Sequence, residues 1–372
     1  MPLSRVRWWR YRIPFRAPFI TAHGVLTQRE GMLLELTNLQ RVRGLGEIAP
    51  LPGFGGSVEE TWQRLPTIAG CLLEHAAGEL CAPGNDIANR WPAALRCGVE
   101  TALLDIAAQS AERSMAAFLG SSAPARVPVN ATVAAADTAM AAELAGAAVA
   151  AGFSTVKLKV GIGKSLQTEV ERVARVREAT GPATSLRLDA NEAWTPEEAI
   201  ATIRACEQYR LEWVEQPVAA GDIAGLAAVR RAVGTPVAAD EGVPGADAIC
   251  ALLAAAAADM LIFKPTLVGG PATIMRLAAL AHASGVGSIV TSALETGIGV
   301  AAAAHSAAAL HPPVQACGLA TATLLEDDLL EESLRIDQGY LLLPEGAGLG
   351  VRLDQEKLRQ YSIASGEVTA SR

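Results

Sequence analysis

The sequence predicts an α/β protein, in which a (β/α)7β TIM-like barrel follows an N-terminal α+β capping domain. Three observations support this prediction. Short apolar runs alternate with Ala-rich stretches from Val127 onward, the order of elements differs before that point, and charged residues end five successive apolar runs. We expect the capping domain at residues 1–125 and the barrel at 126–334, with a C-terminal segment, about 335–372, packing back on the capping domain.

The composition of the 372-residue chain suits a large folded protein and argues against several other classes. Hydrophobic residues make up 51% of the chain and aromatic residues only 4%, which is typical of many packed helices. A net charge of -8 without a basic stripe argues against nucleic-acid partners. No apolar stretch reaches the roughly 18 residues of a membrane span, and the first sixteen residues lack a secretory signal, so we expect a cytoplasmic protein.

The N-terminal part contains runs of both strand and helix character before the barrel pattern begins. Three alternating or apolar runs predict strands, and two longer periodic stretches predict helices. The strands are Val6–Ile13, Met32–Thr37 and Val42–Ile48, and the helices are Ser57–Glu79 and Pro92–Leu119. Between them, the Gly and Pro cluster Pro50–Gly56 predicts a loop.

The barrel part contains eight β-branched runs, each followed by a turn and, in most cases, by an Ala-rich stretch. These predicted strands are Val127–Val133, Thr155–Val160, Ser185–Ala190, Leu211–Gln216, Pro236–Glu241, Met260–Pro265, Ser288–Ser292 and Val314–Leu319. Eight such runs suit a closed barrel. The rival is an open doubly wound sheet, which usually carries a Gly-rich phosphate turn after its first strand, and Asn130–Ala136 has none.

Charged side chains end the second to sixth predicted strands, where the catalytic residues of a barrel lie. The i, i+2 spacing of the two lysines in the second strand places both on one face. Beyond them, the intervals between successive sites are 24 to 30 residues, about one strand plus one helix, so all should meet at one end of the barrel. The six residues are Lys157, Lys159, Asp189, Glu215, Asp240 and Lys264.

The three acids among these residues predict a metal site. Carboxylates that meet in a barrel mouth repel one another unless a cation neutralises them. Ligation by oxygen alone favours Mg²⁺, with Mn²⁺ also possible, over Zn²⁺. A lysine beside such a cation is pushed toward its neutral form and can act as a base. This pairing of lysines with a metal resembles known sites that remove a proton next to a substrate carboxylate and develop an enediolate, and it implies the same reaction here.

Further polar and glycine residues near these strand ends are candidate substrate contacts. Arg187 shares the inward face of Asp189, where it could hold the metal ligands or a substrate carboxylate, although a structural ion pair is equally consistent. The remaining candidates are an amide that could orient the ligands, two residues ending the seventh strand, and two glycines whose backbone could approach a succinyl carboxylate. These are Asn191, Ser292, Glu295, Gly269 and Gly270.

Together these residues resemble the enolase superfamily, and within it the muconate-lactonizing-enzyme subgroup, which is marked by KxK, then Asp, Glu, Asp and Lys. Members of this superfamily combine a lysine or histidine base with magnesium ions that stabilise the enediolate. The resemblance implies that Lys159 and Lys264 lie nearest the reacting carbon and that Lys157 assists electrostatically. It also implies capping loops at Thr21–Gly24 and around Gly55 that close over the substrate, so His23 is a candidate substrate contact, with a surface histidine as the alternative.

More specific motifs resemble those of the o-succinylbenzoate synthase family. They are Arg29-Glu30-Gly31, Gly46–Gly53, Thr291–Gly297 and Gly318–Thr321. This resemblance implies a lyase of menaquinone biosynthesis in which Lys159 removes a proton and then, as an ammonium, helps a β-hydroxyl leave as water. Lys264 would face the intermediate from the opposite side.

Other functions remain open at this point. N-succinylamino acid racemases and muconate cycloisomerases need similar lysines and the same metal, although such racemases commonly have Arg where this chain has Leu267. Dipeptide epimerases carry an acidic pair near the seventh strand that Ser292–Leu294 lacks. Outside the superfamily, a Schiff-base aldolase would leave the three acids unexplained, and a non-catalytic barrel would be free to lose the site residues, all six of which are present. The sequence does not predict the oligomeric state.

Overall fold

The computed structural model describes residues 2–21, 24–51, 56–75, 90–122, 125–163 and 165–370. It confirms the predicted fold class: a curled parallel sheet surrounded by helices stands beside a separate antiparallel sheet. Within the described residues, every helix is too short or too polar to cross a bilayer.

The antiparallel sheet has the strand order β14-β1-β2-β3. Its strands are β1 (Leu3–Thr21), β2 (Gly24–Asn38), β3 (Arg43–Ile48) and β14 (Ser362–Thr369). The last strand comes from the end of the chain and pairs antiparallel with β1. The chain therefore returns to the first sheet after completing the barrel.

Two long helices cover one face of this sheet. They are α1 (Val58–Glu74) and α2 (Ala93–Ser110), and α2 is followed by the short helix α3 (Met115–Phe118). Leu65, Ile68 and Leu72 are spaced three and four residues apart on α1 and pack into a core with β2. The close approach of β3 to α2 requires a glycine, because a Cβ on Gly46 would overlap the carbonyl oxygen of Gly98.

The barrel sheet has seven parallel strands in chain order, each hydrogen-bonded to the next. They are β5 (Ala131–Val133), β6 (Thr155–Lys159), β7 (Ser185–Asp189), β8 (Leu211–Glu215), β9 (Val237–Ala239), β10 (Met260–Phe263) and β11 (Gly287–Val290). The helices are α4 (Thr138–Ala150), α5 (Leu166–Thr180), α6 (Pro196–Cys206), α7 (Ile223–Ala232), α8 (Ala246–Ala254), α9 (Pro265–Val268), α10 (Pro271–Ala283) and α11 (Gly297–Ala308).

Parallel bridges close the remaining side of the barrel. Cys317 pairs with Val129 and Gly318 pairs with Thr291. The predicted eighth strand therefore lies between β11 and the first predicted strand of the barrel. The strands and the helix faces turned toward them form one continuous hydrophobic core.

Two predicted elements are divided in the structure, and one further helix was not predicted. The first barrel run is divided, because Pro128 lacks an N–H and ends β4 (Arg126–Pro128), which pairs with β13 (Tyr340–Leu342) in a small sheet with β12 (Ile336–Asp337). The predicted helix Pro92–Leu119 breaks after α2, and the Ser114 side chain accepts a hydrogen bond from the Ala117 amide to begin α3. A last helix, α12 (Gln355–Tyr361), precedes β14.

Candidate active site

Strand register places the predicted site residues in two layers inside the barrel. Lys159 pairs with Asp189, which pairs with Glu215, so these three side chains form a layer at the C-terminal ends of β6, β7 and β8. Lys157 pairs with Arg187 one layer deeper. This layering follows from the two-residue period of a strand, which sends every second side chain inward.

The two remaining charged residues extend the upper layer. Asp240 directly follows β9, and Lys264 directly follows β10 and precedes α9. β6 and β10 occupy the second and sixth of the eight strand positions in the closed barrel. Because these positions are four apart, Lys159 and Lys264 lie on opposite sides of the barrel mouth. The acidic residues come from the three strands between them.

Ion pairs join these lysines and carboxylates. The Lys157 Nζ lies 2.8 Å from Asp189 Oδ2 and 2.9 Å from Glu215 Oε1. The Lys159 Nζ lies 2.6 Å from the same Asp189 oxygen, and Lys264 is paired with Asp240. The structure thus brings all six predicted residues to one end of the barrel.

The electrostatics of the cluster follow from burial and close charges. Burial alone would raise the pKa of Asp189, but the ammonium groups of Lys157 and Lys159 outweigh it and hold that pKa well below its usual range. Burial, and then the Asp189 charge, raises the pKa of Glu215 to about 8. Burial opposes the charge of Lys157 and Lys264, yet the neighbouring carboxylates raise the pKa of both.

The donor set fits a hard divalent cation in its chemistry. Asp189, Glu215 and Asp240 offer only carboxylate oxygens, and all three are buried. Among the residues that the structure describes, no three acidic, histidine or cysteine side chains are drawn together closely enough to ligate one ion. Lysine ammonium groups lie against these carboxylates, and burial together with the Asp189 charge raises the pKa of Glu215, an unfavourable effect that a bound cation would offset.

Asn191 links two parts of the cluster. Its Oδ1 accepts a hydrogen bond from Lys159 Nζ at 2.6 Å, and its Nδ2 donates to Glu241 Oε1 at 2.9 Å. The backbone at Asn191 is left-handed, with φ of 42°, a conformation that asparagine adopts more readily than most residues. The side-chain amide therefore orients Lys159, and the Asn191 backbone N–H donates to Asp189 Oδ1 at 3.2 Å, which agrees with the predicted role of orienting the metal ligands.

Gln216 is a positioning residue that was not among the residues predicted from the sequence. Its buried Oε1 accepts hydrogen bonds from the amides of Asp240 at 2.9 Å and Gly242 at 3.2 Å, and its Nε2 donates to Val218 O. The side chain thereby fixes the backbone that carries Asp240. The available signal was a polar amide directly after Glu215, at the end of a run that a barrel buries.

Arg187 forms the structural ion pair that the sequence left as an alternative. It lies one layer below Asp189, at the level of Lys157, and is fully buried. Its Nε donates to Glu212 Oε2 at 2.7 Å, its Nη1 donates to Ala316 O at 2.6 Å, and the group stacks 3.6 Å from the Trp213 ring. A register shift in β8 opposite Arg187 makes Glu212 an extra residue, which the sequence pattern did not reveal.

The glycine pair after β10 faces α2 of the first domain, which consists of the antiparallel sheet and the helices that cover it. Gly269 and Gly270 have φ of 110° and 128°, which side chains rarely adopt. A Cβ at these positions would contact the Arg96 guanidinium or overlap the Glu100 carboxylate of α2. The Gly269 amide already donates to Pro265 O, so the structure favours the turn interpretation over a substrate-binding one.

The two candidates after β11 differ in position. Ser292 lies beside the eighth predicted strand, with its Oγ 2.5 Å from Thr321 Oγ1. Glu295 is 4% exposed, its Oε2 accepts a hydrogen bond from the Ala293 amide, and burial together with the charge of Glu47 raises its pKa to about 7. Glu295 therefore belongs to the boundary with the first domain. His23 and Gly55 lie outside the described residues.

Buried carboxylates of the antiparallel-sheet domain bind the starts of two barrel helices, a role that no sequence pattern indicated. Glu47 accepts hydrogen bonds from the amides of Thr296 and Gly299 at the start of α11. Glu100 accepts from the amides at the start of α10, at 2.7 and 3.2 Å. Both carboxylates satisfy N–H groups that a helix leaves unpaired at its first turn.

Comparison with known proteins identifies the class. The family model described as Enolase C-terminal domain-like matches residues 139–357, and the model described as MenC, N-terminal domain matches residues 3–87. The first match covers more than half of the 372 residues. The chain belongs to the enolase superfamily.

Two relatives show which kinds of protein the chain resembles in sequence. The chain is 42% identical to an o-succinylbenzoate synthase of Thermobifida fusca over 229 residues, 61% of this chain and 70% of that protein. It is 30% identical to an L-Ala-D/L-Glu epimerase of Bacillus subtilis over 359 residues, 94% of this chain and 97% of that protein.

Solved structures of two relatives share the fold over nearly the whole chain. A muconate lactonizing enzyme from Pseudomonas fluorescens complexed with muconolactone has a TM-score of 0.89 at 25% identity, covering 97% of this chain and 99% of that one. A dipeptide epimerase from Cytophaga hutchinsonii complexed with Mg and a dipeptide has a TM-score of 0.90 at 25% identity, covering 99% and 100%.

Proposed function

We propose that the chain is a magnesium-dependent o-succinylbenzoate synthase. It would dehydrate 2-succinyl-6-hydroxy-2,4-cyclohexadiene-1-carboxylate to 2-succinylbenzoate in menaquinone biosynthesis. The observation that carries the proposal is the placement of Lys159 and Lys264 on opposite sides of the barrel mouth, with three carboxylates from the strands between them. The likeness to the Thermobifida fusca synthase supports this choice of substrate.

The metal would be held by Asp189, Glu215 and Asp240. When bound, Mg²⁺ supplies positive charge where negative charge develops on the substrate carboxylate. The dipeptide epimerase complexed with Mg supports this choice of ion. Gln216 would hold the backbone of Asp240 in place through its hydrogen bond to that amide.

We assign the chemical roles of the two catalytic lysines from the resemblance to the o-succinylbenzoate synthase family, and their positions are compatible with these roles. Lys159 removes the proton next to the substrate carboxylate and, as an ammonium, gives a proton to the β-hydroxyl, which leaves as water. Asn191 keeps the Lys159 amine directed into the site. Lys264 faces the intermediate from the opposite side as a stabilising cation, and Lys157 contributes positive charge beneath the acids. The aromatic ring of the product supplies much of the driving force.

A substrate panel tests this proposal against its alternatives. Purified protein with Mg²⁺ is given the hydroxycyclohexadiene carboxylate, N-succinylamino acids, dipeptides and muconate in separate assays. We expect dehydration with a kcat/KM of at least about 10⁴ M⁻¹s⁻¹, the lower end for ordinary enzymes. Racemisation of an N-succinylamino acid with no measurable dehydration would replace the proposal with the racemase alternative.

Metal dependence is tested with a matched pair of variants. Chelation should abolish turnover and added Mg²⁺ should restore it. Asp240→Asn should raise the Mg²⁺ concentration needed for activity, whereas Asp259→Asn should not, because Asp259 pairs with Arg230 just before β10, at the opposite end of the strands. Full activity in chelated enzyme would contradict the assigned cofactor.

A further inference from the structure

Arg29 is a buried cation whose donors all bind backbone carbonyls. It is 2% exposed. Its Nε donates to Leu294 O at 3.0 Å, its Nη1 to Glu30 O at 2.8 Å and Pro50 O at 2.7 Å, and its Nη2 to Ala49 O at 2.6 Å and Ala293 O at 3.4 Å. A guanidinium carries five N–H donors, so every donor is engaged. Burying a charge is unfavourable without such partners, which makes the geometry around Arg29 tightly specified.

These bonds connect the two domains at the barrel mouth. Ala49 and Pro50 follow β3 of the first domain and precede its predicted capping loop. Ala293 and Leu294 belong to the loop after β11, directly beyond Ser292. The Ala49 carbonyl also accepts from Thr266 Oγ1 at 3.2 Å, two residues after Lys264. One guanidinium thus joins the Ala49–Pro50 backbone to the loop after β11, and Thr266 binds the same Ala49 carbonyl from the segment after β10.

The loop after β11 is strained where Arg29 binds it. Leu294 has φ of 66°, in the left-handed region, which is uncommon for a bulky side chain and unfavourable by steric contact with the backbone. The Leu294 carbonyl is the acceptor of the Arg29 Nε hydrogen bond, and the Ala293 amide is held by Glu295. Such strain persists only where surrounding contacts enforce it and is concentrated at functional sites.

We infer that Arg29 is a positioning residue that holds this loop in its left-handed conformation against the Ala49–Pro50 backbone. By doing so it fixes the loop that directly follows Ser292 at the barrel mouth. The effect on a particular substrate rests on the proposed function. The loop conformation itself does not, so the two can fail separately.

Arg177 offers a matched control for removing Arg29. Its guanidinium also donates to four backbone carbonyls, those of Gly181, Thr184, Tyr209 and Arg210. These carbonyls lie before the starts of β7 and β8, the end of a barrel where residues serve stability. Arg29→Met and Arg177→Met should both lower thermal stability, but only Arg29→Met should change the site.

Kinetics on the folded variants separate positioning from a purely structural role. Assays run well below both unfolding transitions should give a kcat/KM for Arg29→Met that is roughly 10- to 100-fold lower, because a 1 Å misplacement in a site has effects of that order. Arg177→Met should remain within about 2-fold of wild type. Equal kcat/KM values for the two variants would overturn the inference.

A second substitution tests whether strain at Leu294 is the reason that Arg29 is needed. Glycine adopts positive φ without steric penalty, so Leu294→Gly should make the required loop conformation accessible without the guanidinium. The loss of kcat/KM caused by Arg29→Met should therefore be smaller in the Leu294→Gly background. Independent, multiplicative effects would contradict the inference. If Arg29→Met does not fold, Arg29→Lys, which keeps the charge but loses the planar fork, takes its place.

Hydrogen exchange gives a readout that needs no substrate. Amide exchange across residues 292–296 should be faster in Arg29→Met than in Arg177→Met. Unchanged exchange there would overturn the inference even if the protein dehydrates the proposed substrate. Faster exchange in a protein with no dehydratase activity would sustain the inference and reject the proposed function.

Discussion

Replacing Glu295 by Gln should make the protein more stable at alkaline pH, and the size of the effect follows from its surroundings. The carboxylate is almost fully buried, accepts one backbone hydrogen bond from Ala293, and lies near the charge of Glu47. Burial and then that charge raise its pKa from 4.5 to about 7. Folding therefore favours the protonated form of Glu295.

The sign of the pH dependence follows from that direction. Between pH 4.5 and 7 the folded state binds this proton and the unfolded state does not, so stability falls as pH rises. The difference between the two pKa values corresponds to roughly 3 kcal/mol of unfolding free energy lost by about pH 8 relative to about pH 4. Glu295→Gln removes this titration, so its advantage over wild type should grow by about that amount across the range.

Equilibrium unfolding in urea at a series of pH values measures this difference directly. Glu171→Gln is the control, because Glu171 is exposed on α5 and the substitution should leave the pH profile unchanged. Parallel pH profiles for wild type and Glu295→Gln would refute the reasoning. A large loss of substrate affinity without a change in pH profile would instead support the substrate-binding role predicted from the sequence.

Two other substitutions test the positioning contacts. Gln216→Ala removes the acceptor that holds the Asp240 amide, so the Mg²⁺ concentration for half-maximal activity should rise about 10- to 100-fold, as is usual for residues that support a metal ligand; an unchanged Mg²⁺ titration would contradict this role. Arg187→Met breaks the pair with Glu212 beneath the site, and should lower the unfolding free energy by roughly 2 kcal/mol or more. The kcat/KM of this variant should stay near that of wild type. A selective loss of substrate affinity would instead support the substrate-binding role that the sequence suggested for Arg187.

The fold and the charged cluster could be predicted from the sequence because both follow from short-range periodicity. Strand runs recur at the spacing of a βα unit, and residues that end adjacent parallel strands must meet at one edge. The pairing of Lys159 with Asp189 and of Asp189 with Glu215 is the direct result. The catalytic and metal-binding roles of these residues stay predictions until activity is measured.

What the sequence could not predict depends on contacts between distant segments. The partner of Arg187 was set by a register shift in β8, and the breaks in two predicted elements were set by Pro128 and Ser114. The contacts of Arg29 span up to 265 positions along the chain. No local pattern in the sequence shows that a guanidinium in β2 will bind carbonyls of a barrel loop.

The most direct test of the central claim is the turnover number of Lys159→Ala for 2-succinylbenzoate formation, measured with saturating Mg²⁺ and with folded secondary structure verified by circular dichroism. Because this amine is assigned both the proton abstraction and the proton donation to the leaving hydroxyl, we expect kcat to fall by roughly 100-fold or more. A kcat within a few-fold of wild type would remove Lys159 from the mechanism.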